Sequence, residues 1–167
     1  MAASTDHTPH NDLSTAFPVF GPPQKDLNTP LAYLTWPECM STGHTGFFNA
    51  DGIPNSGLDS NSGTPLVLYS ESGTSMIISP VSAMMTSQVV FAGLVGTSMG
   101  VGHNGMVTAV PAGWTQETLL VGGTGVNNTV MAWGDLLLKR GGKHRTLPDA
   151  DLVISTLGWW SDNVSRV

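Results

Sequence analysis

The chain has 167 residues, room for one ordinary domain, and 40% of them are hydrophobic, enough for a core. Charged residues make up only 11%, against roughly 25% in an average soluble domain, and the net charge is −6. Four of the six basic residues, Lys139, Arg140, Lys143 and Arg145, crowd into one short window, so no broad basic surface remains to neutralise phosphates and nucleic acid is excluded as a partner.

The 20 glycines and 11 prolines favour turns and short strands over long surface helices. The single cysteine, Cys39, rules out an internal disulfide and reads as a small buried hydrophobe. "MAASTDHTPHNDLSTAF" lacks the basic and apolar regions of a secretory signal. No stretch approaches the roughly 20 apolar residues of a membrane span. The default expectation is therefore a cytoplasmic chain without a membrane partner, in which the Asn127 and Asn163 sequons have no secretory context.

Residues 1–29 are polar and proline-rich, and read as an irregular lead with a short strand at Phe17–Phe20. "PLAYLTW" places Leu31, Tyr33 and Thr35 on one face and Ala32, Leu34 and Trp36 on the other, the pattern of a strand covered on both sides. Residues 47–65 are dense in Asp-Gly, Pro-Asn and Ser-Gly pairs and read as a long surface loop. Strands are expected at Leu66–Ser70 and Ser75–Ser79, joined by Glu71-Ser72-Gly73-Thr74 as a hairpin turn. Further strands are expected at Gln88–Leu94, Met106–Val110 and Glu117–Val121. Short strands at this spacing predict an antiparallel β-sandwich over residues 30–149.

One segment breaks the pattern. In residues 127–140 and just ahead of them, Val126, Val130, Trp133 and Leu137 recur at helical spacing. Asn127 or Asn128 is the expected N-cap, Asp135 and Lys139 an i,i+4 pair, and Gly141 the left-handed residue at the end. Lys139 and Arg140 then sit at the negative end of the helix dipole, which explains the basic window. After a linker, "DLVISTLGWW" is apolar nearly throughout, as in a strand covered on both faces of a parallel sheet or barrel. Residues 150–167 therefore read as the start of a second, α/β barrel domain.

Few motifs carry chemistry. "GVGHNG", residues 100–105, fits G-x-G-x-x-G, but no helix can follow it through Pro111, so it reads as a glycine-rich turn and not a dinucleotide loop. "VGGTG", residues 121–125, is read the same way. The five histidines show no metal-ligand spacing, so neither metal nor cofactor is expected. No paired Ser and His, and no second Cys, marks a nucleophile. Asp162 stands out because it follows the last apolar strand beside Trp159 and Trp160. Indole faces and a carboxylate are how sugar rings and hydroxyls are held, and barrel sites form at strand tips. A plain Asp162-Asn163 turn is equally supported by these residues alone.

"LGWWSDN", residues 157–163, resembles the L-G-Y-W-T-D-N-G-A-Y-Y-Y stretch of uncharacterised glycosidase-like proteins of protists and algae. More distantly it is similar to the L-G-W-C-T-W-D-A-F-Y motif of raffinose synthases and related alpha-galactosidases. The resemblance extends over roughly residues 60–163, through "PLVLY", "MIISP", "GMVTAVPAGW" and "WGDLLL". It implies a galactose-mutarotase-like supersandwich followed by the first barrel strand, with Trp160 and Asp162 as substrate-contacting positions. After Asn163 the sequence departs from the family pattern, and the catalytic carboxylates of such enzymes come from later strands. The resemblance thus implies a truncated, non-catalytic portion of a carbohydrate-acting protein. The competing reading is a self-standing β-sandwich module that binds carbohydrate or protein, with Trp36, Trp114, Trp159 and Trp160 supplying the platform.

Overall fold

The computed structural model describes residues 15, 17–21, 31–36, 43–48, 61–62, 65–84, 86–91 and 99–145. They form nine strands and one helix: β1 Val19–Phe20, β2 Ala32–Thr35, β3 His44–Phe47, β4 Asn61–Ser62, β5 Leu66–Tyr69, β6 Thr74–Pro80, β7 Ser87–Phe91, β8 Met99–His103, β9 Thr118–Thr124 and α1 Val126–Arg140. Two sheets result, one of order β1-β8-β7-β4 and one of order β3-β2-β5-β6-β9. Every pairing is antiparallel. The expected mainly β, sandwich-like architecture with one helix is therefore the observed one.

Period-two alternation builds the core. Tyr33, Leu66, Leu68 and Ile78 from the five-stranded sheet meet Val89, Met99 and Val101 from the other, with Phe48 beside them. Tyr33 and Phe48 pack with ring centroids 5.2 Å apart. The opposite face of the five-stranded sheet carries Val67, Ile77 and Val121, against which Leu34, Trp36 and the helix residues Val126, Val130 and Trp133 pack. The two faces read from "PLAYLTW" are thus both covered, one by the second sheet and one by the helix. Three of the four helix positions expected on the packed face are on it.

The β5–β6 hairpin closes as the turn residues predict. Ser70 N–H donates to Thr74 O (2.9 Å) and Gly73 N–H to Ser70 O (3.0 Å), with Gly73 at φ 87. That is the three-residue hairpin loop whose last residue is left-handed, a conformation glycine adopts without a Cβ penalty. Gly125 N–H donates to Gly73 O at 2.7 Å, so this turn also holds the junction between β9 and α1.

The helix begins differently from expectation. Thr129 N–H donates to Gly125 O (3.0 Å), which makes Gly125 the residue at the start. Asn128 does not cap; its Nδ2 donates backward to Thr124 O at 3.2 Å. Thr129 is buried, and its hydroxyl donates to Gly125 O (3.0 Å) while accepting from Ser75 (2.6 Å). Gly123 lies beneath it, where an added Cβ would stand 2.6 Å from Thr129 Oγ1. Glycine at 123 lets the helix sit down on β9, and the "VGGTG" stretch is strand through Thr124, not a turn.

Two further expectations are corrected. "GVGHNG" is a turn only at its end, since Gly100–His103 belong to β8, whose five residues are all buried. Glycine suits a strand flanked closely by other backbones, here β1 and β7. Met106–Val110 is not a strand. Asn104 Oδ1 accepts Met106 N–H and Asn104 O accepts Val107 N–H, both at 2.8 Å, and this side-chain-closed turn takes the chain out of the sheet.

The chain divides into two compact units, residues 1–133 and 134–167. The first holds both sheets and the start of α1. In the second, the helix ends with Gly141 N–H on Leu137 O, Gly142 N–H on Lys139 O and Lys143 N–H on Leu138 O. Gly142, at φ 62, takes the left-handed position expected of Gly141. Asp135 pairs with Arg145 (2.9 Å) where Lys139 was the expected partner. The expected barrel strand at 150–167 lies outside the described residues.

Candidate functional site

The end of β8 delivers His103 to one end of the first sheet, opposite Ser87 of β7. The ring is 4% exposed and held from two sides. Trp114 Nε1 donates to His103 Nε2 at 2.8 Å, and Thr15 Oγ1 lies 2.8 Å from His103 Nδ1. The backbone N–H of His103 also donates to Thr15 Oγ1, at 3.1 Å. An indole N–H can only donate, so Nε2 accepts, and the ring of a neutral His103 carries its hydrogen on Nδ1. Nδ1–H then donates to Thr15.

This order of donation decides the chemistry. A hydroxyl is activated as a nucleophile when a neighbouring base accepts its proton. Here Thr15 Oγ1 receives hydrogens from His103 and gives it none. The pair therefore fixes geometry: it holds the Trp114 indole in place while leaving that residue 44% exposed.

Beside the lock lies an open hollow of about 360 Å³, whose lining includes Thr15, Phe17, His103, Val110, Trp114 and Gln116. That volume lies at the small end of the range for ligand pockets. Phe17 is 83% exposed at its rim. None of the described lining residues is Asp, Glu, Lys or Arg. Gln116 Nε2 is buried with no hydrogen-bond partner. Leaving such a donor unmet costs about 1–3 kcal/mol, so it marks a position where a partner is wanted.

The loop that supplies Pro111, Trp114 and Gln116 is the one whose departure from the sheet Asn104 sets. Asn104 Nδ2 donates to the buried Gln88 Oε1 at 2.9 Å, tying the start of that loop to β7. The apolar residues that suggested a strand, Met106 and Val110, are 55% and 44% exposed. A smaller hollow of about 220 Å³, lined by Ala32, Phe47, Tyr69, Ser70 and Glu71, lacks a comparable set of converging groups.

The substrate-contacting positions expected from the sequence, Trp160 and Asp162, lie outside the described residues, as does Trp159. Trp36, another candidate platform, packs into the helix-side core. Trp114 is the candidate that the structure leaves at a cleft. Sequence reasoning missed Thr15, Phe17, His103 and Gln116. The one local signal was the lone His103 inside a glycine-rich apolar run.

Among the described residues there is no group of three or more His, Cys, Asp or Glu placed to hold a metal ion. Nor is any helix among them long and apolar enough to cross a membrane.

Among the described residues, fold and site define a class: a two-sheet antiparallel sandwich with one helix and an aromatic cleft, free of charged lining residues, at one end of a sheet. No protein-family model, curated protein or solved structure matches the chain.

Proposed function

We propose that this chain is a carbohydrate-binding β-sandwich, acting as a non-catalytic portion of a glycosidase-like protein. The observation that carries the reading is the Trp114 indole, half-exposed at an uncharged cleft and pinned through its N–H by buried His103. A sugar ring has one apolar face and a rim of hydroxyls, and a fixed aromatic surface binds the apolar face at little entropic cost. Thr15 and Gln116 stand where hydroxyls would be met. The "LGWWSDN" stretch supports the same substrate class independently, with Trp160 and Asp162 as further contacts.

The test is a titration of the chain with neutral oligosaccharides, read by tryptophan fluorescence. Saturable quenching that disappears in Trp114→Ala, with the fold retained by circular dichroism, supports the reading. A full set of neutral oligosaccharides that leaves the emission and the heat of mixing unchanged removes it. Quenching by a protein partner alone would favour a protein-binding module.

A further inference from the structure

The cleft holds two hydrogen-bond donors that no described residue accepts from. Thr15 Oγ1 accepts both the ring and backbone N–H of His103, at 2.8 and 3.1 Å, so its two lone pairs are engaged. What remains to Thr15 is its own hydroxyl hydrogen, which can only be given away. Gln116 Nε2 is the second such donor, buried without a partner on the same lining. The surrounding wall is apolar, formed by Phe17, Val110, Pro111 and the Trp114 ring.

Two donors, an indole face, a short apolar wall and no ionised residue among the described lining describe a particular ligand. It is neutral. It presents a strong acceptor, and it carries a small apolar group next to that acceptor. A sugar hydroxyl matches only in part, because it brings its own hydrogen and no apolar group. An acetamido substituent matches fully: its carbonyl oxygen only accepts, and its methyl group covers apolar wall.

We infer that the cleft selects acetamido sugars over plain hexoses, with the acetamido carbonyl accepting from Gln116, supported by Thr15, and the methyl resting on the wall near Val110 and Pro111. The inference rests on the carbohydrate reading of the same cleft and adds the substituent that the site discriminates.

The test uses the full chain and two neutral probes that differ in that substituent, N,N′,N″-triacetylchitotriose and cellotriose, by fluorescence titration and calorimetry. The triacetylated sugar is expected to bind roughly tenfold more tightly, the worth of one good hydrogen bond. In Gln116→Leu the ratio should fall toward one. Equal affinity of the unaltered chain for both sugars overturns the acetamido inference while leaving carbohydrate binding standing. Binding of neither sugar overturns both. An undiminished ratio in Gln116→Leu overturns the part given to that residue. Should Gln116→Leu fail to fold, the affinity ratio of the unaltered chain still decides the inference.

Discussion

The indole N–H of Trp114 is spent on His103, at 2.8 Å, and the two rings stand 5.8 Å apart at 53°. The bond fixes one edge of the indole while the residue stays 44% exposed. His103 does this because β8 buries it and Thr15 takes the hydrogen on its other nitrogen. Removing the donor leaves the buried His103 Nε2 without that partner, so Trp114→Phe should lower unfolding free energy by about 1–3 kcal/mol. Urea denaturation measures it as a shift in midpoint at constant slope. No shift would mean that the bond contributes nothing net.

The seat of the helix is tighter than that lock. A Cβ on Gly123 would lie 2.6 Å from Thr129 Oγ1, whose hydroxyl is already committed to Ser75 and Gly125. Gly123→Ala should therefore destabilise by about 1–3 kcal/mol, the usual cost of overpacking. Combining it with Thr129→Ala should recover part of the loss, since the smaller residue vacates the space. Strict additivity in the double variant would refute the contact.

Ser75 and Thr129 join sheet to helix through a 2.6 Å hydroxyl pair in a buried setting. Thr129→Val keeps the shape and removes the hydroxyl, leaving Ser75 without that partner. The expected loss is about 1–3 kcal/mol. A double-mutant cycle with Ser75→Ala should give a coupling of at least about 0.5 kcal/mol. Thermal melts of the four proteins settle the value.

The hairpin turn gives a backbone test. Gly73 sits at φ 87, where a side chain costs about 1–2 kcal/mol. Gly73→Ala should lower the melting temperature, whereas Ser72→Ala, on the exposed face of the same loop, should change it little. Equal effects would show that the left-handed conformation is not what the turn requires.

The ion pair of Asp135 and Arg145 is exposed on both sides, at 63% and 50%. Asp135→Asn should cost less than about 1 kcal/mol. The difference should shrink further as salt is raised through the screening range. A larger, salt-independent loss would point to a role beyond the pair.

Local periodicity decided much of this molecule. Tyr33 and Leu34 face opposite ways because successive strand residues must, and "PLAYLTW" carries apolar groups on both sides. Val126, Val130 and Trp133 share a helix face for the equally local reason of 3.6 residues per turn. The same logic misled at Met106–Val110, where apolar residues met no neighbouring strand. A ladder depends on partners elsewhere in the chain, and Asn104 had already closed a turn.

The cleft was hidden from the sequence because its parts are distant along it. Thr15 and His103 meet across 88 residues, and the direction of their hydrogen bond depends on a third residue, Trp114. Nothing about any one of them announces this. The sequence by itself determined most strands, turns, helix face and the scarcity of charge, since those follow from composition and from backbone periods. Only the tertiary structure decided which tryptophan stays at the surface of a cleft, which nitrogen of His103 bears the hydrogen and which donors remain unused. Each of those depends on how many hydrogen bonds a group has already made, and that count closes only when the chain has folded.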